Sequence, residues 1–127
     1  MSKRITVFTP TYNRGNLIHN VYESLLRQSC QDFQWLIIDD GSVDNTRQIV
    51  QQWIAEGKME IRYVYKENGG LHTGYNKAIE LMDTELSVCI DSDDWLTDDA
   101  VELILNTWDR VKSDRLAGLI GLDVRTD

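Results

Sequence analysis

The stretch ITVFTPTYNRGNLIHNVYESLL, residues 5–26, decides the fold. Ile5 to Phe8 are β-branched or aromatic and read as a short buried strand. Thr9-Pro10 predicts its end, because proline has no N–H for a sheet ladder. Beyond Thr11-Tyr12-Asn13-Arg14, residues Leu17, Val21, Leu25 and Leu26 recur at helical spacing. A strand feeding a helix through a short polar loop is the first half of a βαβ unit.

The unit repeats along the chain. Trp35-Leu36-Ile37-Ile38 reads as a second strand, followed by a helix carrying Ile49, Val50, Trp53 and Ile54, with Ser42 or Asp44 as its cap. Ile61 to Tyr65 alternates as a third strand, and Tyr75, Ala78, Ile79 and Met82 trace a third helix after a glycine-rich turn. Leu86 to Ile90 reads as a fourth strand with Cys89 buried inside it. Thr97 is the expected cap of a fourth helix, with Asp98 and Asp99 in its first turn and Val101, Ile104, Leu105 and Trp108 as its buried stripe. Leu119 to Val124 reads as the start of another strand, at which the chain looks truncated. The expected class is α/β, a mostly parallel sheet with helices on both faces.

Composition narrows the function. A chain of 127 residues with 42% apolar content supports one core, so residues 1–127 are read as one domain. Acidic residues outnumber basic ones by 21 to 13, which argues against a nucleic-acid partner and its need for a basic stripe. The sequence has neither a long apolar run nor a charged leader with a cleavage site, so the expected location is cytoplasmic. Cys30 and Cys89 read as reduced, buried thiols, neither a metal ligand nor a nucleophile.

In open α/β sheets, ligands sit beyond the carboxyl ends of the strands, and four polar clusters fall there. Pro10, Thr11, Tyr12 and Asn13 follow the first strand; alone they would be an ordinary strand-to-helix connection. Asp39-Asp40-Gly41-Ser42 follows the second, where adjacent carboxylates lose solvation and repel unless donors or cations answer them. A carboxylate at such a place suits the N–H of a base or a sugar hydroxyl. Asp91-Ser92-Asp93-Asp94 follows the fourth strand, and three carboxylates in four residues form a hard-oxygen site suited to Mn²⁺ or Mg²⁺. The plain alternative is an acidic turn before a helix. Glu67 to Ala78 lacks the spacing of a phosphate-binding glycine loop, yet Asn68, Gly69, Gly70, His72 and Asn76 offer polar groups and close backbone approach. His72 reads equally as a solvated loop residue and Tyr75 as core; Lys66, near a strand end, could meet phosphate, but a lone surface lysine is usually only solvated.

Taken together and in order, Thr9-Pro10-Thr11-Tyr12-Asn13-Arg14, Asp39-Asp40-Gly41-Ser42, Asn68-Gly69-Gly70 with Asn76, and Asp91-Ser92-Asp93-Asp94 resemble glycosyltransferase family 2. The resemblance implies the Rossmann-like GT-A fold and binding of a nucleoside diphosphate sugar, with UDP favoured over GDP and dTDP. It implies that the first cluster lines the nucleoside pocket, that Asp40 contacts the base, and that Asp39 supports it. Asp91 and Asp93 match the family's DxD motif, with ribose contact and metal ligation as its roles and Asp94 as an adjacent acid sharing the task. The family's general base has no match here, and is expected beyond Asp127. The implied reaction is inverting transfer to a glycan or lipid-linked acceptor, as in cell-surface polysaccharide synthesis. A lipid-linked acceptor would bring the full enzyme to the inner face of a membrane as a peripheral protein. The competing readings are a haloacid-dehalogenase-like phosphotransferase, whose DxD motif usually opens the chain, and a non-catalytic nucleotide-binding domain.

Overall fold

A computed structural model describes residues 3–111. The elements run β1 (Ile5–Thr11), α1 (Ile18–Leu26), β2 (Phe33–Asp39), α2 (Thr46–Glu56), β3 (Ile61–Tyr65), α3 (Leu71–Leu81), β4 (Leu86–Cys89) and α4 (Ala100–Val111). The strands form one sheet in the order β3-β2-β1-β4, parallel throughout. The expected strand over Leu119 to Val124 lies outside the described residues.

Side-chain alternation along the two central strands divides the core. Ile5 and Val7 of β1 and Phe33, Trp35 and Ile37 of β2 pack with the buried faces of α1, α2 and α4. Phe8, Leu36 and Ile38 point the other way and meet Ala78 of α3. Helices therefore cover both faces, which is what right-handed crossovers require when β1 to β3 run one way and β4 returns past β1. Over β2, the rings of Tyr22 and Trp53 stack at 4.1 Å and 7°, tying α1 to α2. Trp35 lies beneath them and donates its indole N–H to Thr9 Oγ1 at 2.9 Å.

Four expectations change. β1 continues through Pro10 to Thr11, in register with Ile38 and Asp39. Phe8 O accepts from Ile90 N, so Phe8 and Pro10 both face the β4 side, where pairing ends at Phe8. The missing proline N–H falls past that end. Cys89 is exposed, because Leu86 and, just past β4, Ile90 turn inward while Ser87 and Cys89 turn outward; Cys30, between α1 and β2, is half-buried. Ile54 on α2 and Ile79 on α3 are exposed and stand off the buried stripes of their helices. Finally α4 begins at Ala100, after Asp98 and Asp99 rather than with them.

The cap of α4 comes from elsewhere in the chain. Gln28, 5% exposed just past α1, accepts the Val101 N–H at 3.0 Å and donates to Thr97 O at 2.6 Å and Ser24 O at 3.0 Å. One amide thus satisfies an N–H that a helix start leaves open, and fixes the segment leading from β4 into α4. Gln28→Leu keeps the volume and leaves these buried groups unpaired. It is expected to lower the unfolding free energy in urea by about 2–4 kcal/mol. A loss below about 0.5 kcal/mol would show that water serves those groups instead.

Candidate functional site

The strand order reverses between β1 and β4, since β2 and β3 lie on one side of β1 and β4 on the other. That is the switch point at which the loops leaving two neighbouring strands part and open a crevice. A cavity of about 450 Å³ lies there, lined by Pro10 and Thr11 at the end of β1, Tyr12 and Arg14 just past it, and Asp91, Ser92 and Asp93 after β4. Ile38 and Asp40 of β2 and its turn, and Asn68, Gly70 and Gly74 of the β3–α3 segment, close the remaining wall.

The paired carboxylates at the end of β2 are answered separately. Asp39 ends the strand with no exposure; its Oδ1 accepts the Ser42 N–H at 2.8 Å and its Oδ2 accepts the Tyr63 hydroxyl at 2.6 Å. Burial and this bond to the carboxylate both push the Tyr63 phenol well above its ordinary range. Asp40 turns to the cavity. Its Oδ1 accepts from the Lys66 ammonium and from Gly69 N–H at 2.9 Å, and its Oδ2 accepts from Gly70 N–H at 3.0 Å. Desolvation disfavours its charge, but Lys66 and the two backbone donors outweigh that cost and hold the carboxyl below its usual value. Asn68 Nδ2 donates to Asp40 O at 3.0 Å, completing a clasp between the β2 turn and the glycine-rich segment. The clasp explains Gly41: its φ is 84°, and a Cβ there would lie 2.9 Å from Asn68 N.

Asn13 behaves differently from its neighbours. It adopts φ 52°, its N–H donates to Ser42 Oγ at 2.8 Å, and its Oδ1 accepts from Val43 N at 2.8 Å. It does not line the cavity, whereas Tyr12 and Arg14 on either side do. Gly69 sits behind the wall with its N–H on Asp40, and Asn76 is exposed on α3. The side chains of His72 and Tyr75 lie outside the described ones.

Asp91, Asp93 and Asp94 each bring a carboxylate oxygen to within 4.8 Å of the others, with Asp91 and Asp93 exposed and Asp94 half-buried. Oxygens sharing one Mg²⁺ stand about 3–4 Å apart, at about 2.1 Å from the ion. The three acids thus offer, close together, the hard-oxygen donors that fit such a divalent cation. The turn is set by the Asp94 N–H bonding Asp91 O at 3.0 Å.

Sequence reasoning assigned no site role to Ile38 or Gly74. Arg14 was legible as the last residue of a quoted cluster; Ile38 and Gly74 carry no chemical signal and enter the wall only through the fold. Lys66, read as solvated, is the cation that Asp40 holds.

A family model, glycosyl transferase family 2, matches residues 6–120. A chondroitin synthase of Pasteurella multocida is 34% identical over 101 residues, covering 80% of this chain and 10% of that protein. Crystalline S. aureus TarS 1-349 in complex with UDP-GlcNAc superposes with a TM-score of 0.78 at 27% identity, over 84% of this chain and 31% of that one. The mannosyltransferase PcManGT from Pyrobaculum calidifontis, in complex with GDP-Man and Mn²⁺, superposes at 0.69 with 25% identity, over 76% and 29%. The chain thus spans a third or less of the length of these relatives. A matching family model over most of the sequence, the switch-point cavity and the GT-A neighbours agree: the chain belongs to glycosyl transferase family 2.

Proposed function

We propose that this protein holds the donor for sugar transfer from a nucleoside diphosphate sugar, with UDP as the nucleotide, to a glycan or lipid-linked acceptor, with inversion at the anomeric carbon. The observation that carries the reading is the cavity itself, which has a compensated carboxylate, Asp40, in one wall and the acids Asp91 and Asp93 in another. A base and a diphosphate make those two different demands. The TarS complexes with UDP and UDP-GlcNAc support the donor class, and the GDP-Man and Mn²⁺ complex supports a metal.

In this reading Asp40 accepts an N–H from the base, Tyr12 offers its ring to it, and Asp91 meets the ribose. Pro10, Thr11, Asn68 and Gly70 shape the nucleoside wall, and Ser92 shapes the floor beside the acids. Asp93, with Asp91 and Asp94, would hold Mn²⁺ or Mg²⁺. Such an ion, when bound, offsets the charge of the diphosphate and favours its departure. Arg14 adds a positive charge at the rim. The acceptor's general base belongs to no residue named in the cavity, and the acceptor is a glycan or lipid-linked chain in keeping with polysaccharide-forming relatives such as chondroitin synthase.

Calorimetric titration with UDP, GDP and dTDP, with and without Mn²⁺, tests the reading; absence of metal-dependent binding to all three would sink it. Asp93→Asn is expected to weaken Mn²⁺-dependent UDP binding about tenfold, the effect of one lost charged contact. Unchanged affinity would move the metal elsewhere.

Asp40→Ala is expected to weaken UDP binding while leaving inorganic pyrophosphate with Mn²⁺ nearly unaffected. Equal losses for both would show that Asp40 acts on the diphosphate half. The same carboxylate has an acid-side signature. Its folded value lies below the ordinary 3.8, so its stabilisation is complete above that pH and is lost as the pH falls through the lowered value. Asp40→Asn should therefore flatten the fall in stability below about pH 4; an unaltered acid limb would show the clasp is not electrostatic.

A further inference from the structure

We infer that Asn13 is a positioning residue, a latch that sets Tyr12 and Arg14 in the cavity, and not a contact to the nucleotide. The inference deepens the nucleotide-binding reading and rests on it.

The chain must turn sharply between β1 and α1. Asn13 makes that turn in the left-handed region at φ 52°, which asparagine tolerates better than most residues. Arg14 O then accepts the N–H groups of Leu17 and Ile18, both at 2.9 Å, and the helix starts. What holds Asn13 there is the neighbouring turn. Its N–H goes to Ser42 Oγ, and its side-chain oxygen accepts Val43 N at 2.8 Å and Asp44 N at 3.4 Å. Two backbone N–H donors can only meet the oxygen of the amide, so its orientation is fixed by chemistry.

Ser42 is itself fastened from the far side. Its N–H bonds Asp39, its carbonyl accepts the Tyr65 hydroxyl at 3.1 Å, and Asp39 accepts the Tyr63 hydroxyl. Gly15 N–H bonds Asp44 Oδ2 at 3.1 Å, so the loop after Asn13 is pinned to the same turn. A relay thus runs from β3 through the β2–α2 turn to Asn13. Neither Ser42 nor Asn13 lines the cavity, yet Tyr12 and Arg14 do. Their placement depends on a residue whose side-chain hydrogen bonds both go to the β2–α2 turn.

Two substitutions separate the roles. Asn13→Gly keeps the left-handed turn and removes the acceptor. Asn13→Asp keeps an acceptor for Val43 and Asp44 and removes the amide donor that a ligand contact would use. With UDP and Mn²⁺ in calorimetry, Asn13→Gly is expected to weaken binding about five- to tenfold, and Asn13→Asp to stay within about threefold of the parent. Ser42→Ala, at a residue that does not line the cavity, should weaken UDP binding in the same direction as Asn13→Gly. Hydrogen exchange without nucleotide supplies an independent readout: Val43 N–H should lose protection in Asn13→Gly and keep it in Asn13→Asp. The latch is overturned if Asn13→Asp binds UDP as poorly as Asn13→Gly while Val43 stays protected, or if Asn13→Gly leaves both binding and protection unchanged. Failure of the parent protein to bind any nucleoside diphosphate would instead defeat the donor reading, and Val43 exchange would still decide the latch.

Discussion

A carboxylate with no solvent exposure at the end of a parallel strand is the constraint on which the site depends. Asp39 is such a group, and its buried charge is tolerable only if donors reach both oxygens. The Ser42 N–H and the Tyr63 hydroxyl do so, and meeting that demand folds the turn after β2 back onto the strand. Once Ser42 is fixed, its hydroxyl is in place for Asn13, and the next carboxylate, Asp40, is turned toward the cavity. Two adjacent acids are thereby kept apart in environment. Asp39 is answered by neutral donors from within the fold, Asp40 by a cation and two glycine N–H groups from the β3–α3 segment.

Much of the architecture was legible because burial leaves a period. The run Ile61 to Tyr65 is a strand with those bounds, and Val101, Ile104, Leu105 and Trp108 are all buried on α4. Periodicity says which face is covered, not which strand lies alongside, so the order β3-β2-β1-β4 had to come from the fold. Pro10 misled for a related reason: a proline ends a strand only where a partner would need its N–H, and no pairing with β4 extends that far. Cys89 was placed inside because a short apolar run looks buried on both faces, whereas one face of β4 carries Ser87 and Cys89 outward.

The site was legible in its members more than in their duties. The clusters after β1, β2 and β4 converge on one cavity, as their positions at strand ends implied. Side chains with identical chemistry nonetheless divide between wall and scaffold. Asp39 and Asn13 spend their polar atoms on the β2–α2 turn and on tyrosine, and no sequence signal marks that expenditure, because Tyr63 is distant, Val43 carries no chemical signal and Ser42 reads as a helix cap. The glycines of the β3–α3 segment were read as permitting close backbone approach. That was the right physical need, but the group approached is Asp40 of the protein itself.

The charge of the cavity is unevenly answered, and this gives it direction. Asp40 carries its own cation in Lys66, so a ligand group placed beside it meets a nearly neutral, donor-ordered wall. Among the described residues no such ion pair serves Asp91 or Asp93, which stand exposed on the opposite side. A dianionic diphosphate laid against them bare would be repelled, whereas a neutral base laid against Asp40 would not. On the proposed donor reading, one end of the nucleotide would bind to the protein as it stands, and the other would bring a cation with it. The polarity follows from the strand order: β2 delivers the compensated acid next to β3 and its lysine, and β4, on the far side of β1, delivers the acids that β3 cannot reach.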